Sequence, residues 1–291
     1  MMNKVQTLDQ FIAQLEDGMT IGIGGWGARR KPMDLVRAIC RSPLKDLTIV
    51  SYGGPDVGLL CSEGKIKELV FGFVSLDLIP LEAHFRQARQ NGNLKNITEL
   101  DEGMLQWGLR AAAMRLPFLP TKIGFGTDIL KHNSHIKTIT SPYSDKQELV
   151  AMPAIPLDAA LIHVNKADKK GNTQIFGPDP FFDDLFARAA TNTFVSSEKI
   201  VDTDQLGGEQ MAIFNRFERN FVTGVIECPG GAHPTSCAPD YGFDLEHLKN
   251  YSAQVENYAE YKKDFIDVNP SAYHEAVGGL QKILSLSLPR F

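Results

Sequence analysis

Apolar residues recur along the chain at two periods. Leu8, Phe11, Ile12 and Leu15 share one face of a helix that Thr7 caps, and 19–23 then reads as a strand running into Gly24-Gly25-Trp26-Gly27. Pro32 opens a second helix that buries Leu35, Val36 and Ile39. A strand at 47–52 follows, then the loop Gly53-Gly54-Pro55-Asp56, a short helix and a strand at 67–74. Further on, 104–114 has the helical period and 159–164 is an unbroken apolar run of the fully buried strand type. Asp168-Lys169-Lys170-Gly171-Asn172 is a turn into a strand near 173–175, with side-chain hydrogen bonds of its own. A helix at 182–190 and strands at 193–196 and 221–226 complete a second α/β stretch. The segment 229–240 is a loop rich in Gly and Pro, and 245–265 is polar and helix-prone. These alternating units predict an α/β fold, an open, mainly parallel sheet flanked by helices over 1–240, with a helical extension at 241–291 packed on it.

With 291 residues, 43% hydrophobic and 22% charged, the chain can bury a full core. Its formal net charge is −5 and its Lys and Arg are scattered, which excludes the basic stripe of a nucleic-acid binder. No apolar run approaches bilayer length and 1–10 does not read as a secretory signal, so no membrane partner and a cytoplasmic location are expected. Cys40, Cys61, Cys228 and Cys237 lack the tight spacing of a zinc site, so free thiols and no metal are expected.

The run from Asp17 to Pro32 carries the most information. Its strand ends in glycines whose backbone can approach a ligand closely, just ahead of a helix N-terminus that favours anions. Such a corner serves equally as a structural turn. Arg29, Arg30 and Lys31 meet the positive end of the helix dipole. They read either as a solvated basic turn or as a cradle for an anion that reverses an unfavourable ~0.3–1 kcal/mol each. Glu99, Asp101 and Glu102 precede the helix at 103 and suit a cap, Asp101 more than Glu102. His163 inside its apolar strand reads as a satisfied core histidine, and His233 in its loop as an ordinary surface residue. Gly22-x-Gly24-Gly25-x-Gly27 lacks the spacing of a dinucleotide site, and no acidic residue ends the strand at Ser51-Tyr52-Gly53.

The Asp17–Pro32 run resembles the signature of class I coenzyme A-transferase alpha subunits: an Asp-Gly pair, an apolar strand, two glycines and an aromatic, and a proline six residues beyond. Trp26 stands where that family has Phe, and Arg30 where it has Gly. The resemblance continues through 71–76, 116–120, 158–164 and 167–172, covering roughly 10–235. It implies an open α/β sheet that is one of two homologous halves, an active site between them, and a separate beta subunit, as αβ or α2β2. In the transferases a glutamate of the beta subunit attacks the thioester. Gly24 to Pro32, Ser51 to Asp56 and Glu99 to Met104 are most similar to the steroid ring-cleaving hydrolases of this superfamily. Those enzymes open the last carbocycle, a 6-oxocyclohex-1-ene-1-carboxyl-coenzyme A with a propanoate arm.

That resemblance implies Glu102 as general base, and substrate or coenzyme A contacts at Gly24, Gly25, Trp26, Gly27, Arg29, Arg30, Lys31, Gly53 and Gly54. It implies no cofactor beyond the coenzyme A of the substrate itself. The two activities it leaves open are hydrolytic ring opening and coenzyme A transfer to a dicarboxylic or 3-oxo acid through a beta-subunit glutamate.

Overall fold

The computed structural model describes residues 3–79, 81–208 and 210–288. In chain order the strands are β1 (Thr20–Ile23), β2 (Leu47–Gly53), β3 (Ile66–Val74), β4 (Asn96–Glu99), β5 (Phe118–Thr121), β6 (Lys137–Thr140), β7 (Glu148–Pro153), β8 (Leu157–Asp168), β9 (Thr173–Gln174), β10 (Ala190–Val201) and β11 (Val222–Glu227). The α-helices are α1 (Leu8–Ile12), α2 (Met33–Arg41), α3 (Pro55–Ser62), α4 (Ala83–Gln90), α5 (Glu102–Ala113), α6 (Ile129–His132), α7 (Asp183–Ala189), α8 (Leu245–Ala253), α9 (Tyr258–Phe265), α10 (Pro270–Ala276) and α11 (Leu280–Leu284).

Seven strands make one parallel sheet in the order β11-β10-β8-β1-β2-β3-β4, with β9 antiparallel on β8. Both faces are covered, which is why the central strands read as continuous apolar runs rather than alternating ones. Side chains separate by parity: Ile49, Leu69, Phe71, Ala159 and Leu161 pack with α2, α3 and α4 on one face. Val50, Tyr52, Val70, Ala160 and Ile162 pack with α5 and α7 on the other.

This order also locates the crevice. From β1 the chain steps outward through β2 and β3 to β4, whereas β8, β10 and β11 lie on β1's opposite side. Ligands of open α/β sheets bind beyond the carboxyl ends of the strands at such a reversal point. Gly24–Gly27 sit there, directly after β1.

A second sheet, antiparallel β5-β7-β6, was not legible beforehand. Its strands are short and β5 contains Pro120, tolerable only because β5 is an edge strand. After the loop at 229–240, residues of α8, α9 and α10 lie against α2, α3 and α4, and Ile283 of α11 packs with Ala232, Cys237 and Tyr241. The Arg37 guanidinium lies 3.7 Å over the Tyr273 ring, His84 stacks on Tyr251 at 4.2 Å, and Tyr258 donates to Glu63 at 2.6 Å.

Under α8, Glu82 caps α4 by accepting from the Phe85 amide, while its second oxygen and the Tyr251 hydroxyl converge over Gly58. Glu82 is buried, and burial with Asp56 nearby raises its pKa from 4.5 to about 7. A carboxyl whose folded pKa is raised holds its proton more tightly folded than unfolded. Its stabilising contribution is therefore complete below pH 4.5 and lost as pH rises toward 7, a swing on the order of 3 kcal/mol. Glu82→Gln keeps the cap and removes the titration. The variant should lose less melting temperature than the wild type between pH 5 and pH 8, by several degrees; parallel pH profiles would refute the assignment.

Candidate active site at the carboxyl edge of the sheet

Two loops interlock beyond β1 and β2. The Trp26 amide donates to the Arg29 carbonyl at 2.9 Å and the Arg29 amide to the Trp26 carbonyl at 3.0 Å, closing a tight turn. Gly25 enters that turn at φ 75°, and a Cβ there would stand 2.6 Å from the Arg29 and Arg30 carbonyl oxygens. The neighbouring loop presses in as closely, since a Cβ on Gly54 would lie 2.0 Å from the Gly27 carbonyl oxygen. Gly24, Gly53 and Gly54 are buried with them. The glycines are thus required by the approach of one backbone to another.

The three cations that follow form neither a solvated turn nor an open anion cradle. Arg30, which sits at φ 49° where the resembling family has Gly, is only 2% exposed. Its guanidinium donates to Asp183 at 2.5 Å and to the His163 carbonyl at 3.0 Å, and Asp183 accepts from the Gly25 amide at 2.9 Å. Burial raises the Asp183 pKa and Arg30 opposes that rise. Lys31 is buried too; it donates to Ser51 at 2.8 Å and stands 3.1 Å from Asp56, which also accepts from Ser51 and from the Gly54 amide. Burial lowers the Lys31 pKa, with Asp56 acting against it. Arg29 keeps solvent access but bridges to Asp77 at 3.2 Å. The expected dipole penalty is cancelled by carboxylates within the chain. Nothing in the spacing marked Asp183 as Arg30's partner, because 153 residues separate them.

Glu102 begins α5 a few residues after β4, at the same edge. Asp101 does the capping, accepting from the Met104 amide at 2.6 Å. Tyr52, from β2, donates its hydroxyl to the Glu102 carbonyl at 2.9 Å and so fixes the helix start. The Glu102 side chain is exposed, and its carboxylate has no hydrogen-bond or ion-pair partner among the described residues.

Aromatic side chains surround this region. Trp26 meets Phe73 edge-on at 4.7 Å and lies nearly parallel to Phe181 at 6.4 Å, while Phe182 packs on Tyr52 at 5.3 Å. Phe181 and Phe182 both have positive φ, 53° and 62°, a conformation bulky residues rarely adopt and that costs about 1–3 kcal/mol each. Sequence periodicity carried no signal for them.

The histidines are structural. His163 is held between Ser196 and Glu198, both at 2.8 Å, as a satisfied core residue. His233 is not at the surface: it is fully buried between the Tyr273 hydroxyl at 2.7 Å and Asp244 at 3.2 Å, and ties the extension to the domain. His163, Glu198 and Cys237 lie close enough together to hold a cation. However, Glu198 already accepts from Tyr241 and from the Gly230 amide, and burial pushes the Cys237 thiol well up, away from the thiolate a metal needs. A depression of about 490 Å³ lined by Arg188, Arg216, Phe217 and Arg219 shares no residue with the corner.

Arg30→Gly suits the local φ but leaves Asp183 buried without a counter-charge, a loss of about 3–5 kcal/mol. Adding Asp183→Asn, which keeps an acceptor for the Gly25 amide, should recover most of it. Urea denaturation of the two variants and the wild type measures this coupling. Equal stability of Arg30→Gly and wild type would show that the ion pair does not hold the corner.

Comparison with known proteins places these features in a lineage. Residues 5–213 match the family described as coenzyme A transferase. The cholesterol ring-cleaving hydrolase IpdA subunit of Rhodococcus jostii (strain RHA1) is 48% identical over 259 residues, 86% of each chain. The IpdA subunit of Mycobacterium tuberculosis (strain H37Rv) is 49% identical over 261 residues, 87% of this chain and 88% of that one. Among solved structures, glutaconate coenzyme A-transferase from Acidaminococcus fermentans superposes with a TM-score of 0.89 at 26% identity, covering 98% of this chain and 96% of that one. An open parallel sheet, an interlocked glycine corner at its carboxyl edge and these likenesses agree: the chain belongs to the coenzyme A transferase family.

Proposed function

We propose that this chain is the alpha subunit of a two-subunit hydrolase that opens the ring of a 6-oxocyclohex-1-ene-1-carboxyl-coenzyme A, an intermediate of steroid ring C and D degradation, with Glu102 as general base. The observation that carries this reading is the division of labour at the start of α5. Asp101 takes the cap, so the exposed Glu102 carboxylate has no structural task. The near-half identity to proteins named as cholesterol ring-cleaving hydrolase subunits supports the substrate class.

Glu102 takes a proton from water as the oxygen adds to the ring ketone. The carbon–carbon bond between that carbon and the thioester-bearing carbon then breaks, the electron pair moves toward the thioester, and the proton is returned there. The amides of Gly24, Gly25, Trp26, Gly27 and Gly54 already donate within the chain, so the corner offers a fixed surface and the solvent-facing Arg29 is the group that would meet the anionic parts of the substrate. Arg30 and Lys31 shape the corner through Asp183 and Asp56. The relatives are named as subunits, and a homologous beta subunit, as αβ or α2β2, completes the site. Among the described residues no helix is long and apolar enough to cross a membrane, and the reading includes a cytoplasmic location and no cofactor beyond the substrate's coenzyme A.

Glu102→Gln keeps size and reach while removing basicity. In the complex reconstituted with the beta subunit, turnover, read as loss of the cyclohexenone chromophore, should fall on the order of a hundredfold or more, with the melting temperature nearly unchanged. Near-normal turnover would remove Glu102 from the mechanism and favour transfer through a beta-subunit glutamate. The purified chain alone should show no turnover; full activity without a partner would contradict a site completed by the second subunit.

A further inference from the structure

Phe181 and Phe182 are held in the left-handed region by identifiable contacts. The Phe181 amide donates to Asp179 at 2.7 Å, and the next residue after the pair, Asp183, is pinned to Gly25 and Arg30. Helix initiation does not require this. Phe182 occupies the N-cap of α7 with no side-chain hydrogen bond, a position where an extended Ser or Asn would serve without strain.

What the conformation does accomplish is placement of the rings. Phe181 comes to lie nearly parallel to Trp26, at 13° between planes, beneath the Arg30 guanidinium at 5.1 Å. Phe182 comes against Tyr52, the residue whose hydroxyl holds the Glu102 carbonyl. Trp26, Phe73, Phe181 and Phe182 are each only partly buried, so the cluster presents apolar ring surface beside the corner.

We infer that Trp26 and Phe181 form the wall that receives the acyl group, selecting thioesters of a flat six-membered carbocycle over short open-chain acyl groups. The inference rests on the site assignment above and deepens it. Arginines cover part of each ring, Arg29 over Trp26 and Arg30 over Phe181, and a ring-shaped acyl group gains more contact with the ring surface left partly exposed than an acetyl group can. Strain is kept at a position where it sets the surface a ligand meets.

Equilibrium binding to the reconstituted complex tests it, with cyclohex-1-ene-1-carboxyl-coenzyme A and acetyl-coenzyme A as probes. Phe181→Gly deletes the ring while glycine accepts φ 53°, and Phe181→Leu keeps apolar bulk without the flat face. Phe181→Gly should weaken the cyclic thioester about tenfold or more and leave acetyl-coenzyme A within about twofold, with Phe181→Leu in between. Equal loss for both thioesters, no loss for either, or failure to assemble with the beta subunit would overturn the assignment, the last by showing the ring to be interface. Binding is read without turnover, so an active Glu102→Gln enzyme would sink the general base and leave this result standing.

Discussion

Everything at the carboxyl edge of the sheet depends on one buried ion pair, Arg30 with Asp183. It joins the loop after β1 to the first residue of α7, which sit on opposite sides of the point where the strand order reverses. Through Asp183 it also fixes the Gly25 amide, and through Nη1 of Arg30 it holds the His163 carbonyl at the heart of β8. A pair so buried adds little net stability, because desolvation offsets the attraction, but breaking one side is costly. Its effect is to make one arrangement of corner, strand and helix far better than its neighbours. The Lys31–Asp56 pair does the same between the corner and the β2 loop.

Charge at this edge is consequently settled within the chain before any ligand arrives. The cation still facing solvent in the basic triplet is Arg29, itself bridged to Asp77. The Glu102 carboxylate at the start of α5 has no hydrogen-bond or ion-pair partner among the described residues.

The sheet was legible in the sequence because burial on both faces writes itself as unbroken apolar runs such as 159–164, and because helix starts at Thr7 and Asp101 use side chains that announce themselves. The choice of Asp101 over Glu102 as the cap was legible for the same reason. What stayed hidden depends on distance along the chain. Arg30 and Lys31 read as a basic turn or an anion cradle since Asp183 and Asp56 could not be placed beside them, and His233 read as a surface residue since Tyr273 and Asp244 belong to an extension that folds back over it. The left-handed Phe181-Phe182 pair gave no signal at all, for aromatic residues are poor candidates for that conformation. The β5-β7-β6 sheet escaped because its strands are short, β5 is interrupted by Pro120 and β7 ends on Pro153.

The contact between Gly27 and Gly54 bears on how the enzyme can move. A carbonyl seated where a Cβ would have to be leaves the two loops no room to slide past one another, and the ion pairs behind them oppose separation. The corner is therefore poorly suited to act as a flap. Within this chain the two loops form one fixed surface, and any opening or closing falls to other parts of the molecule. The shape of this edge is then fixed when the chain folds, and these two loops need not be ordered again when a ligand arrives.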